Sequence, residues 1–317
     1  MNTIVPAFEF RRRARMAMKP MLSVLIVVAL IAALPTMIST ITITLTGATT
    51  DAIVETYSNR IMQIAEKYGI AETTPVVQKD VNPLALAAEL NAWSNDFNAA
   101  MLTFAREKGP ILLGLTVMEI LMMPVLTLGL INAALHALRK QEFTAAIAMS
   151  RFRYILRILG LELLQGLLLL LWLLPGLAVM LLSVVLPEAA ISFTLFAGTV
   201  LMLVLGIRAA FRYAMSEFIM ADDPTTPIRA CIRRSCEVMK GRKLELFSLE
   251  VSFIGWELLL MYARGLLEGL LGPVLGMALG LFAALFLTLY TTCAKAAFYQ
   301  EYAVGPLPAP EQEEVAA

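Results

Sequence analysis

The sequence has a single histidine, three cysteines and only 16% charged residues along its 317 positions. That scarcity removes several classes of function. Cys231, Cys236 and Cys293 have no close Cys or His grouping at ligand spacing, so they make no metal site and read as reduced, structural thiols. His136, at an expected helix end beside Arg139 and Lys140, has none of the partners a catalytic histidine needs and is expected to be solvated. There is no metalloprotease helix, phosphate-binding glycine loop, dinucleotide fingerprint or Gly-x-Ser-x-Gly elbow. No enzymatic activity and no cofactor are expected. With a net charge of zero, no nucleic-acid partner is expected either.

Apolar sequence is what the chain has in abundance. Hydrophobic residues make up 59% of it, well above the usual share in a soluble domain, and they fall in runs near the roughly 20 residues that cross a bilayer as a helix. Residues 1–20 form a basic N-terminus with Arg11, Arg12, Arg13, Arg15 and Lys19. A first span over 21–45 follows, with Pro35 as a candidate kink; it is too long for a signal-peptide core and reads as a retained helix. Further spans are expected over 110–134, 155–186, 191–210, 246–263 and 273–292. The third exceeds the length one crossing needs, and Pro175-Gly176 is the expected break in it. The fold class is therefore all-α: a polytopic membrane helix bundle of about six transmembrane helices.

The polar stretches between the spans carry the orientation. A loop over 135–154, a segment over 211–245, the N-terminus and the tail over 293–317 lie on one side, with disorder expected from Gly305 onward. Together with the span ends facing them they hold 19 of the 25 Lys and Arg residues, which by the positive-inside rule puts both termini in the cytoplasm. The insert over 46–109 is extracytoplasmic. Its stripes Ile53, Tyr57, Ile61, Ile64, Tyr68 and Leu86, Leu90, Trp93, Phe97, Ala100, Phe104 recur at helical spacing, which implies a two-helix hairpin joined by the linker from Gly69 to Pro83. The stripes either pack on each other or offer a docking surface to a protein partner.

Phe211 to Trp256 is the stretch around which the rest is organised. Thr226 can cap a helix that Pro227 opens and Gly241 ends, with Ile228, Cys231, Ile232, Cys236 and Met239 on its apolar side. Arg229, Arg233, Arg234, Lys240, Arg242 and Lys243 make the rest basic. Such a helix suits a membrane interface with anionic lipids, although cytoplasmic charges that merely hold topology would look the same. Phe218 to Pro224 (Phe-Ile-Met-Ala-Asp-Asp-Pro), Ser235, Val238 to Lys243, Leu246-Phe247 and Glu250 to Trp256 resemble the uncharacterised bacterial integral-membrane family catalogued as domain of unknown function 975. Leu171 to Gly176 and Tyr290 with Ala296 to Tyr299 are similar to its Trp-Leu-Leu-x-Pro-Gly and closing motifs. Leu289 stands where the closing motif usually has Pro, and Ile191 to Leu205 adds hydrophobic sequence. The resemblance implies a polytopic fold in a bacterial plasma membrane and no particular activity.

Acids at lipid depth and a run of glycines complete the candidates. Glu119, Glu162 with Gln165, Glu250 and Glu257 each need a partner, a proton or water there. Glu162 and Glu250 are expected to share the basic cluster of Arg157, Arg208 and Arg212. Ion pairs that lock helices and a proton or substrate path are both open readings. Gly265 and Gly269 precede the last span, and Gly272, Gly276 and Gly280 continue through its start at four-residue steps, a pattern for close helix packing within one chain or in a homo-oligomer. The leading expectation is a non-enzymatic membrane module that binds a lipid or protein partner; the alternative is a small-molecule or ion transporter that uses the buried carboxylates.

Overall fold

The computed structural model describes residues 5–69, 82–144, 146, 149–184 and 187–305. The linker over 70–81, part of the turn before Pro187 and the tail beyond Gly305 lie outside the described residues. Those residues contain no strand and are helical almost throughout, as lipid requires of a chain whose N–H and C=O groups have no water to bond. Nine helices are described: α1 (Ala7–Thr46), α2 (Asp51–Lys67), α3 (Pro83–Leu138), α4 (Ile155–Leu181), α5 (Glu188–Tyr213), α6 (Ser216–Asp222), α7 (Ile228–Val238), α8 (Lys243–Leu271) and α9 (Pro273–Tyr299). Among the described residues, six helical stretches are long and apolar enough to cross a membrane: Ala7–Thr46, Pro83–Leu138, Ser150–Leu181, Ala190–Asp222, Lys243–Leu271 and Leu275–Val304.

The chain divides into two units, one of Met1–Ala33 with Leu121–Ala317 and one of Leu34–Ile120. In the larger unit, α4 packs along α5 and α8 along α9. Its core is gathered at one end: Phe10 and Ala14 of α1, Leu128 and Leu135 of α3, Ile158 and Leu161 of α4, Leu246 and Phe253 of α8, and Cys293 and Phe298 of α9 are all at most 1% exposed. The short helix α6 sits among them, with Ser216, Phe218, Ile219, Met220 and Ala221 buried. Elsewhere the spans present Leu, Phe and Val outward, which is what a lipid-facing surface looks like.

Several expectations meet a different outcome. Pro175 lies inside α4 and does not break it; membrane helices tolerate proline where neighbouring groups re-satisfy the freed carbonyl. Gly176 matters instead for contact: a Cβ there would lie 2.8 Å from Met202 N and 3.0 Å from Gly198 O, and one on Gly198 would lie 3.0 Å from Gly176 O. Pro35 stays within α1, whose one non-helical residue is Met21 (φ −117°, ψ 17°), where the basic segment gives way to the apolar run. That basic segment is itself an amphipathic helix with Phe10, Ala14 and Met18 in the core.

In the smaller unit the insert's second helix does not end at Gly109-Pro110 but continues as α3. The two apolar stripes meet there. Tyr57 packs edge-on against Trp93 and Phe97, Trp93 Nε1 donates to Tyr57 O at 2.9 Å, and Arg60 pairs with Asp96 at 2.7 Å. Lys67 pairs with Glu89, and Lys108 Nζ donates to Thr46 O at 2.8 Å.

Candidate functional site

The segment between α5 and α8 is built from the inside outward. Ser235 of α7 accepts from Met215 N at 3.2 Å and donates to Arg212 O at 3.1 Å, and Cys231, Ile232 and Met239 are buried beside it. The apolar face of α7 is thus spent on the protein core and not on lipid, because α6 provides a surface for it. The expected cap is also different. Pro227 occupies the N-cap position, and Thr226 Oγ1 donates at 2.8 Å to Asp223 Oδ2. Thr225 donates to Asp223 Oδ1 through Oγ1 at 2.6 Å and through N–H at 2.9 Å. These three bonds hold the Asp223 carboxyl below the ordinary aspartate value. Gly241, at φ +82°, turns the chain into α8.

The six basic residues of this segment fall into two groups. Arg234 Nη2 donates to Ala303 O at 3.2 Å, Arg242 Nη1 to Tyr302 O at 3.3 Å with its guanidinium 4.1 Å from the Tyr302 ring centre, and Lys243 Nζ to Arg208 O at 3.3 Å. These three satisfy carbonyls at the ends of neighbouring helices. Arg229, Arg233 and Lys240 are exposed, and the one ion pair of Arg233 is a 4.0 Å contact with Glu237 on the same helix. Arg212 is exposed next to them, its Nε 3.2 Å from Cys236 Sγ.

The buried acids are arranged otherwise than their depth implies. Glu250 pairs with Lys295 of α9 at 2.7 Å, and not with Arg157, Arg208 or Arg212. Arg157 instead donates to Pro224 O and Thr225 O at 3.2 and 3.1 Å. Lys295 and Glu162 also lie within electrostatic reach of Glu217 on α6, so Glu217 links the Glu250–Lys295 pair to Glu162 of α4. Gln165 Oε1, one turn beyond Glu162, is buried without a hydrogen-bond partner among the described residues. Glu119 belongs to the smaller unit and is partly exposed, and Glu257 is exposed on α8; neither makes an ion pair among the described residues. Sequence reasoning passed over Glu217, although a lone acid between Ser216 and the apolar Phe218 to Ala221 was the available signal.

A second polar group ties α3, α6 and α9 together. Arg139 forks onto Asp222 at 2.6 and 3.1 Å and donates to Gln300 Oε1 at 2.9 Å, while Tyr299 OH donates to Asp222 Oδ2 at 3.2 Å. Bidentate charge-assisted pairs of this kind are among the stronger ones. Arg151 Nη2 donates to Asn132 Oδ1 at 2.7 Å. His136 is partly buried, its ring 5.2 Å from that of Phe143, so it is not the solvated side chain that its neighbours suggest. Among the described residues, the three cysteines are free thiols and no three His, Cys, Asp or Glu side chains gather as a metal's ligands would.

Of the glycines in this run, Gly276 and Gly280 pack within the chain. Gly272 turns α8 into α9 at φ +81°, and a Cβ on Gly276 would come within 2.6 Å of the Leu267 carbonyl carbon. On Gly280 it would lie 3.0 Å from Arg264 Cγ, whereas Gly265 and Gly269 face open space.

No curated protein and no solved structure matches the chain. The family model described as protein of unknown function (DUF975) matches residues 76–303, which takes in the basic segment, the carboxylate–lysine cluster and the α8–α9 hairpin. On that match, and with six helices able to cross a membrane, the chain belongs to the domain of unknown function 975 family.

Proposed function

We propose that the protein is a non-enzymatic module of a bacterial plasma membrane whose basic face binds anionic lipids of the cytoplasmic leaflet. The observation that carries this reading is the division of labour on α7. Its inner side is bonded into the bundle, so Arg229, Arg233 and nearby Lys240 are held outward with no strong internal partner. Each such charge near an anionic leaflet contributes about 1 kcal/mol. The hairpin is a weaker candidate for docking a protein, because its aromatic stripes are occupied by each other.

Native mass spectrometry of protein released from membranes containing phosphatidylglycerol tests the reading. Anionic lipid should be retained by the wild type and lost when Arg229, Arg233 and Lys240 are changed to Gln. Equal retention by both proteins would overturn it.

Transport is the second reading, favoured by Glu217, which lies within electrostatic reach of both Glu162 and Lys295, the partner of Glu250. Carboxylates that outnumber the cation among them can take up a proton or a cation. In liposomes, a proton or cation flux that Glu217→Gln abolishes would support it, and flux no greater than in empty liposomes would count against it.

A further inference from the structure

Among the described residues, three nitrogen atoms near the end of α3 are buried without a hydrogen-bond partner: Asn132 Nδ2, His136 Nδ1 and Arg151 Nε. They belong to one cluster. Asn132 and His136 are four residues apart on α3 and share a face, Arg151 bonds Asn132 directly, and the His136 ring lies within electrostatic reach of Arg151.

The Arg151 bond also settles which way the Asn132 amide points. A guanidinium only donates, so the amide oxygen faces Arg151 and the NH2 group faces away. Asn132 is 2% exposed, so bulk water does not serve that NH2 group. His136 Nδ1 is a donor in one neutral tautomer and in the charged ring. Arg151 brings a full charge, and among the described residues it makes no ion pair. Of the nearby carboxylates, Asp222 is engaged by Arg139 and Asp223 by its threonines.

Donors without acceptors, one of them charged, are complementary to a group that only accepts and carries negative charge. We propose that Asn132, His136 and Arg151 form a binding site for a phosphate-class oxyanion. A lone water offers two lone pairs and no charge, fewer than the Asn132 amide, the His136 ring and the charged Arg151 guanidinium together call for. His136 and Arg151 are both partly exposed, so rotation of these two side chains gives the anion a way in. The site uses none of the residues of the proposed lipid face.

Free phosphate and the phosphate of a lipid headgroup share this chemistry. The full-length protein, in a mild detergent and a phosphate-free buffer, is titrated calorimetrically with inorganic phosphate and separately with short-chain phosphatidic acid. Saturable binding of inorganic phosphate identifies a site for the free ion, and binding of the lipid alone identifies a headgroup site. In either case Arg151→Gln should weaken binding about tenfold or more, the scale of one charge-assisted hydrogen bond. His136→Leu, which removes no side-chain hydrogen bond among the described residues, should also weaken it and serves if Arg151→Gln does not fold. Changing Arg229, Arg233 and Lys240 to Gln should leave it unchanged, which separates this site from the lipid face. No saturable binding of either probe, or undiminished binding in the variants, would overturn the proposal.

Discussion

Asp223 and Glu250 show how differently two carboxylates of one chain are held. Asp223 is exposed and accepts three local hydrogen bonds from Thr225 and Thr226, so its folded pKa lies below the ordinary value of 3.8. Stability from a lowered carboxyl is fully present above that ordinary value and is lost as pH falls through the folded one. Asp223→Asn should therefore lower the thermal midpoint at neutral pH, with the gap to wild type closing as pH falls below about 4. A gap that stays constant with pH would contradict the assignment. Glu250 depends on a distant partner, and Glu250→Leu would remove the direct ion-pair partner of Lys295 at a cost of about 2 kcal/mol. Glu250→Gln keeps an acceptor and should cost less, while Glu257→Leu breaks no bond and should leave the yield of monodisperse protein unchanged. Equal losses in all three would show that the Lys295 pair contributes nothing. The acids were legible in the sequence because charge is rare in apolar runs. Their partners were not, because Lys295 lies 45 positions from Glu250 in the chain and only packing brings α9 beside α8.

At the scale of elements, helices α4 and α5 approach through Gly176 and Gly198, and α8 and α9 through Gly276. Gly276→Leu would drive a side chain into the backbone at Leu267 and Glu268, with destabilisation of about 1–3 kcal/mol or more. Gly269→Leu faces open space and should change stability by no more than about 0.5 kcal/mol. Thermal unfolding of the two variants in the same detergent measures the contrast, and similar midpoints would refute the packing role. The four-residue glycine spacing pointed to Gly276. Gly198 has no such signal, since its importance comes from the facing Gly176. Likewise the amphipathic pattern of α7 was readable while the identity of its apolar partner was not. A membrane and a buried helix such as α6 select the same periodicity.

For the molecule as a whole, six single crossings would return both termini to the same side. The 19-to-six distribution of Lys and Arg predicts that side to be the cytoplasm. Reporter fusions at the two ends should both be active only in cytoplasmic form; opposite behaviour at the two ends would mean an odd number of crossings. The sequence by itself determined the all-helical architecture and the apolar runs that make up its spans, because each backbone must satisfy its own hydrogen bonds in lipid. Tertiary structure alone decided that Pro175 leaves α4 unbroken, that Arg234, Arg242 and Lys243 serve carbonyls while Arg229, Arg233 and Lys240 stay on the surface, and that Asn132 and Arg151 meet. These outcomes depend on which elements become neighbours, and hydropathy carries no record of a partner such as Glu301, which meets Arg13 from 288 residues away at 2.6 Å.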